Sequence, residues 1–311
     1  MAASSKKVIY AALAGNTLIA ITKFIAAGVS GSSAMLSEGI HSLVDTGNQG
    51  LLLYGMHRAK RPPDKDFPFG YGKEIYFWSF VVAILIFALG SGISIYEGVH
   101  RLLHPEPLGD TTVNYIVLAL AMLFEGAAWY FAFKEFSSIK GTIGYIEAVQ
   151  KGKDPTLFVV LFEDSAAMLG LLLAFSGVLL GDITGILIFD ALASIAIGLL
   201  LAFTAIWLAY ETKGLLIGES AKKSVVQGIR DIVNKSEHVE HVNEVLTMHM
   251  GPEFILANIS IDFYDAATAD DIENSIDKMD KTIKQTFPNV KRIFMEVEKR
   301  KNKHSPAWDA V

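Results

Sequence analysis

The chain reads as a six-helix, all-α transmembrane domain followed by a small α+β cytoplasmic domain. Three observations predict this. Of its 311 residues, 51% are apolar and the mean hydropathy is +0.37, a composition that suits a bundle of membrane helices better than a single soluble globule. The charges are unevenly placed: residues 76 to 210 carry few, whereas residues 211 to 311 are dense in Lys, Asp and Glu. Beyond that boundary the apolar pattern alternates between helical and strand periods in the order αββαβ. The expected domains are therefore 1–210, transmembrane, and 211–299, cytoplasmic, with a solvated tail at 300–311.

The spans follow in order. Apolar windows of membrane-crossing length fall near 8–29, 33–56, 76–99, 113–133, 157–180 and 185–210. The second window is too polar for hydropathy alone. Its polar residues Glu38, His41, Asp45 and Asn48 are spaced by three, four and three, so they share one helix face while leucines cover the others. That face should point into the bundle. The first span carries Asn16 and Lys23 on one side, and Lys23 is expected to snorkel to the outer surface. Asp190 opens the sixth span, where capping or solvation accounts for it.

Basic residues orient the bundle. Arg58, Lys60, Arg61, Lys65 and Lys73 lie between spans two and three, and Lys134, Lys140, Lys151 and Lys153 between four and five. The opposite connections contain only Arg101. By the positive-inside rule both termini are cytoplasmic. Met1 to Lys7 is too short and polar for a signal peptide and lacks the pattern of a transit peptide, so the N-terminus is expected to be uncleaved.

The soluble elements have readable faces. Val225, Val226, Ile229, Ile232 and Val233 line one side of a helix. Strands are expected at 245–250 and 254–264 around a Gly251-Pro252 turn; the second alternates Ile255, Ala257, Ile259, Ile261 and Phe263 with polar residues. A helix from Ile272 to Phe287 and a strand near 292–297 complete the motif. Two helices should cover one sheet face, a ferredoxin-like or metallochaperone-like arrangement.

Composition excludes several functions. The net charge is −6, with no clustered basic run, which argues against a nucleic-acid partner. There is no cysteine, hence neither disulfides nor thiolate metal sites. A transition metal would be held by imidazole and carboxylate, which suits zinc, manganese, iron, cobalt or nickel.

The chemistry concentrates on His41 and Asp45 of the second span with Asp164, and Glu163 beside it, in the fifth. Ionisable groups in hydrocarbon are costly and mark ion or proton pathways. The spacing of His41 and Asp45 stacks two donors on one helix face, and an acidic position on a facing helix completes a divalent-cation site. The competing reading is an inert hydrogen-bonded network. Asn48 and Glu125 are further candidates for the fourth ligand, as is water.

Four stretches carry a resemblance: Ser32 to Asp45 (SSAMLSEGIHSLVD), Phe69 to Glu74 (FGYGKE), Tyr96 to Arg101 (YEGVHR) and Asp190 to Ser194 (DALAS). They resemble the cation diffusion facilitator family over nearly the whole chain. The runs His41 to Gln49 and Leu161 to Gly170 are similar to the branch containing the mitochondrial zinc transporter. The resemblance implies a homodimer of six-helix subunits with an αββαβ cytoplasmic domain, exporting divalent metal in exchange for protons. It also implies metal ligands at His41, Asp45 and Asp164. One departure is specific: where many members have a histidine four residues before that aspartate, this chain has Val160. Glu163 is the nearest replacement, though it projects about 100° away around the helix.

Other family sites look absent. Pro68 and Tyr71 stand where many members place histidines, and Lys73 in that loop is either exposed or paired with Glu211 or Glu219. In the cytoplasmic domain Asn243 or Glu244, Asn258 and Glu296 fall near the positions of a zinc pair, while His238, His241 and His249 are expected to be solvated.

The expected function is a secondary active transporter of a divalent cation, zinc first, working with protons in the bilayer of a prokaryotic inner membrane. It needs no prosthetic group. Loss of the fifth-span histidine makes the site richer in oxygen and admits manganese, iron or cobalt as alternatives. A membrane-embedded metal sensor that does not translocate is the rival reading. An intramembrane hydrolase is disfavoured, for the sequence offers no nucleophile or oxyanion arrangement.

Overall fold

The computed structural model describes residues 2–105, 110–140, 144–150, 152 and 155–300. Lys151, Lys153 and the tail from 301 lie outside them. The chain divides into two compact units: Met1–Lys60 with Glu74–Lys213, and Arg61–Lys73 with Gly214–Val311.

The first unit is helical. Its long elements are α1 (Ala2–Ser30), α2 (Ser33–Arg58), a continuous third helix made of α3 (Glu74–Leu85), a π-helical stretch (Ile86–Ser91) and α4 (Gly92–Leu103), then α5 (Thr112–Lys140), α7 (Pro155–Thr184) and α8 (Ile188–Ile217). A short α6 (Tyr145–Gln150) lies between α5 and α7. Among the described residues, four helices are long and apolar enough to cross a membrane: Glu74–Leu103, Thr112–Lys134, Phe158–Thr184 and Ile188–Ile217. In α1 the described part of the apolar stretch is Asn16–Ser30, and the polar stripe of α2 lowers its hydropathy. The helices overrun the apolar windows because Glu74, Lys140 and Lys213 are good helix formers that hydropathy counts against.

The sharp α1–α2 connection follows from its residues. Gly31 takes φ +66° and its N–H bonds the Ala27 carbonyl at 2.8 Å, a left-handed cap that costs glycine little. Ser32, in extended backbone, then accepts the Met35 N–H and caps α2. The two helices pack on each other, and α2 also packs on α3, α4 and α7. Met35, Glu38, His41, Asn48 and Leu52 are buried while Leu43 is 55% exposed, so the polar stripe does face inward.

In the second unit α9 (Lys223–Asn234), β1 (Val239–Gly251), β2 (Phe254–Phe263), α10 (Ala269–Thr286) and β3 (Val290–Val297) follow the expected order. The sheet runs β1-β2-β3, antiparallel and then parallel. Ile229 and Val233 of α9 and Met279 and Ile283 of α10 join the alternating β2 residues in one core. β1 begins six residues earlier than its alternation suggests, because register shifts at Val239/His241 and Val242/Glu244 break the period.

The loop Arg61–Lys73 belongs to this unit. Gly72 lies against Met250 and Gly251 so closely that a Cβ would overlap the Met250 carbonyl. Phe69 meets Phe294 edge to face at 6.4 Å, and Lys73 Nζ lies 3.7 Å from Met248 Sδ.

Candidate metal site

His41 and Asp45 sit one turn apart on the inward face of α2, with His41 Nδ1 3.4 Å from Asp45 Oδ1. Both are secluded, their side chains 2% and 14% exposed. His41 Nδ1, His41 Nε2 and Asp45 Oδ1 are buried with no hydrogen-bond partner. Such atoms are costly in an apolar interior unless something satisfies them. From α7, Glu163 reaches α2: its Oε1 accepts a hydrogen bond from Asn48 Nδ2 at 2.9 Å. Two candidates for the fourth ligand thus hold each other. Glu163, Glu125 and Asp164 all lie within electrostatic reach of Asp45. Among the described residues, no three histidine and acidic side chains converge tightly enough to hold a metal ion. The donors gathered from α2 and α7 are neighbours rather than a closed cage in this conformation.

Lys23 overturns the expectation of snorkelling. It is fully buried on α1, and its Nζ donates to Glu38 Oε2 at 3.0 Å, Glu125 Oε1 at 2.9 Å and Ser42 Oγ at 2.8 Å. Two carboxylates outweigh the reach to an interface, because all three ammonium protons are satisfied inside. Its signal in the sequence is that Lys23 is the one lysine in the six apolar windows, two of which hold Glu38 and Glu125, so its charge must be matched somewhere.

Asp190 is also buried rather than solvated. It caps α2 instead of its own helix, accepting Ser33 N–H at 2.7 Å and Ser33 Oγ at 2.8 Å as well as the hydroxyl of Ser32. A carboxylate at a helix N-terminus meets unpaired N–H groups and the positive end of the dipole. Ser37 and Ser194 continue this contact at 2.5 Å.

In the soluble unit His249 is buried, with Nδ1 3.3 Å from the Gly251 carbonyl, against the expected solvation; its place in β1 turns it inward beside the hairpin. Asn258 donates to Glu296 at 3.3 Å. In the α2–α3 loop Tyr71 donates to Asp64 at 2.6 Å, and this bond holds the Asp64 carboxyl below its ordinary value.

Apolar helices that bury imidazole and carboxylates on facing sides define an integral membrane protein of the ion-handling class. Residues 9–217 match the cation efflux transmembrane domain. The chain is 34% identical over 260 residues to the human mitochondrial proton-coupled zinc antiporter SLC30A9, covering 83% of this chain and 46% of that protein. It is 31% identical over 261 residues to metal tolerance protein C4 of Arabidopsis thaliana, covering 83% and 57%. With the manganese efflux system protein MneP of Bacillus subtilis it shares 22% over 302 residues, covering 94% and 95%. The chain belongs to the cation efflux, or cation diffusion facilitator, family, near the branch of the mitochondrial zinc transporters. It spans about half the length of the human and plant relatives.

Proposed function

We propose that this protein exports divalent metal cations, zinc foremost, by alternating access in exchange for protons. The observation that carries the reading is the group of buried atoms on His41 and Asp45 without a hydrogen-bond partner, near the acidic pair of α7. A doubly positive ion satisfies an imidazole nitrogen and carboxylate oxygens at once and offsets their charge. His41, Asp45 and Asp164 are the ligands, with Glu163 closing the set after releasing Asn48. Metal ligands must be deprotonated, so protons and metal compete for the same groups, and protons arriving from the far side help eject the cation.

Six spans carry the site in this reading. α1 and α2 cross with the four more apolar helices, since α2 packs among them with its polar stripe inward. Both termini and the soluble unit are cytoplasmic, the host membrane is a prokaryotic inner membrane, and the protein works as a homodimer. The zinc and proton specificity is supported by the names of the animal relatives and by the mixed nitrogen and oxygen donors.

The test is zinc flux in reconstituted vesicles with a pH dye enclosed. Zinc entry should drive protons the opposite way. Zinc entry without proton movement would refute antiport, and no zinc entry would refute transport.

A further inference from the structure

We propose that Lys23 sets the metal preference of the transport site by holding the Glu125 carboxylate away from the passing cation. This rests on the transport reading above. Lys23 is the positioning residue, acting through Glu125.

The ammonium is a tethered cation with a full set of oxygen partners drawn from two other helices, Glu38 and Ser42 on α2 and Glu125 on α5. It lies beside the proposed metal site: Ser42, to which its Nζ donates, is the next residue after His41. The two carboxylates differ in what they do when released. Glu38 is walled in, its Oε1 lying so near Gly170 of α7 that a Cβ there would overlap it. Glu125 is 14% exposed, and Asp45 and Asp164 both lie within its electrostatic reach. Each carboxylate has one buried oxygen without a hydrogen-bond partner, Oε1 of Glu38 and Oε2 of Glu125, so what separates them is room to turn. Without the ammonium, Glu125 is the carboxylate able to turn toward a cation at Asp45 and Asp164.

The consequence is a matter of donor softness. With Lys23 in place the cation meets His41 together with the acids of α2 and α7, a set that includes nitrogen and suits zinc. Adding Glu125 makes the site richer in carboxylate oxygen and favours the harder manganese ion. The ammonium also removes one negative charge from the site's surroundings, so a divalent ion is bound less tightly and leaves more readily.

Two variants of equal charge separate this from a merely structural ion pair. Lys23→Met with Glu38→Gln leaves Glu125 ionisable and unheld; Lys23→Met with Glu125→Gln leaves Glu38 instead. Each removes the ammonium and one carboxylate, so a loss of helix packing affects both alike. Competitive flux of Zn2+ and Mn2+ is measured in vesicles, with the native chain and Lys23→Arg alongside. The manganese-to-zinc ratio should rise about tenfold in the Glu38→Gln double variant and stay near native in the Glu125→Gln double variant and in Lys23→Arg. Equal ratios in the two doubles, or a rise confined to the Glu125→Gln double, would overturn the proposal. Absence of flux in the native chain would instead overturn the transport reading itself.

Discussion

Two buried polar clusters in the helical unit teach opposite lessons. In Asp190 both carboxylate oxygens are met: they cap α2 through Ser32 and Ser33. Around His41 and Asp45 three buried atoms have no hydrogen-bond partner, although both residues lie on the same helix some two and three turns further along. A satisfied cluster fixes helices in place, whereas an unsatisfied one in hydrocarbon leaves room for the ligand proposed above to complete it. Residue type does not distinguish them, since each contains a buried carboxylate. Hydrogen-bond accounting does.

The contrast is sharpest in substitution. Asp45→Ala or Asp164→Ala should lower metal flux in vesicles by more than about a hundredfold, beyond the ~10–100-fold cost of losing even an outer partner of a metal ligand, while thermal unfolding in detergent changes little. Asp190→Ala should do the reverse. It leaves the α2 N-terminus and two buried serines without their acceptor, and the loss should be about 3 kcal/mol of stability, read as a lower unfolding temperature. If Asp190→Ala destroyed flux with no change in stability, the two clusters would not differ in kind.

Smaller effects probe the soluble unit. Gly72→Ala sets a methyl against the Met250 carbonyl and should cost about 1–3 kcal/mol, visible as faster amide exchange in the 61–73 loop and the β1 end of the hairpin. Thr268 caps α10 in a reciprocal box with Asp271, so Thr268→Ala should speed exchange at the first turn of α10 roughly fivefold. The same bonds, led by the Thr268 hydroxyl, lower the Asp271 carboxyl below its ordinary value. A depressed carboxyl stabilises the fold above its unfolded pKa, and that contribution disappears as pH falls through the folded value. Protection at this turn, taken against the intrinsic exchange rate at each pH, should therefore fall only in acid, and the acid step should shrink in Thr268→Ala.

Periodic features were legible in the sequence. The three, four, three spacing of Glu38, His41, Asp45 and Asn48 located the inward stripe, and the β2 alternation from Ile255 to Phe263 located a sheet face, because each depends on one element's geometry. Lys23 was misread because its partners are 15 and 102 residues away and a lone lysine near a span end satisfies the snorkelling rule. The role of Asp190 was half legible: capping was foreseen, but the capped helix lies 157 residues earlier. The early start of β1 was hidden by its bulges, and the π-helical stretch Ile86–Ser91 leaves no mark in hydropathy. What escaped were pairings between distant segments, which periodicity does not encode.

The most direct test of the central claim places the cation in the membrane rather than in the soluble unit. Zinc flux is compared in vesicles holding the native chain, Asp45→Asn, and a variant with His238, His241 and His249 all changed to Gln. The account predicts native flux in the triple variant and none in Asp45→Asn; flux that survives Asp45→Asn but vanishes with the three histidines would contradict it.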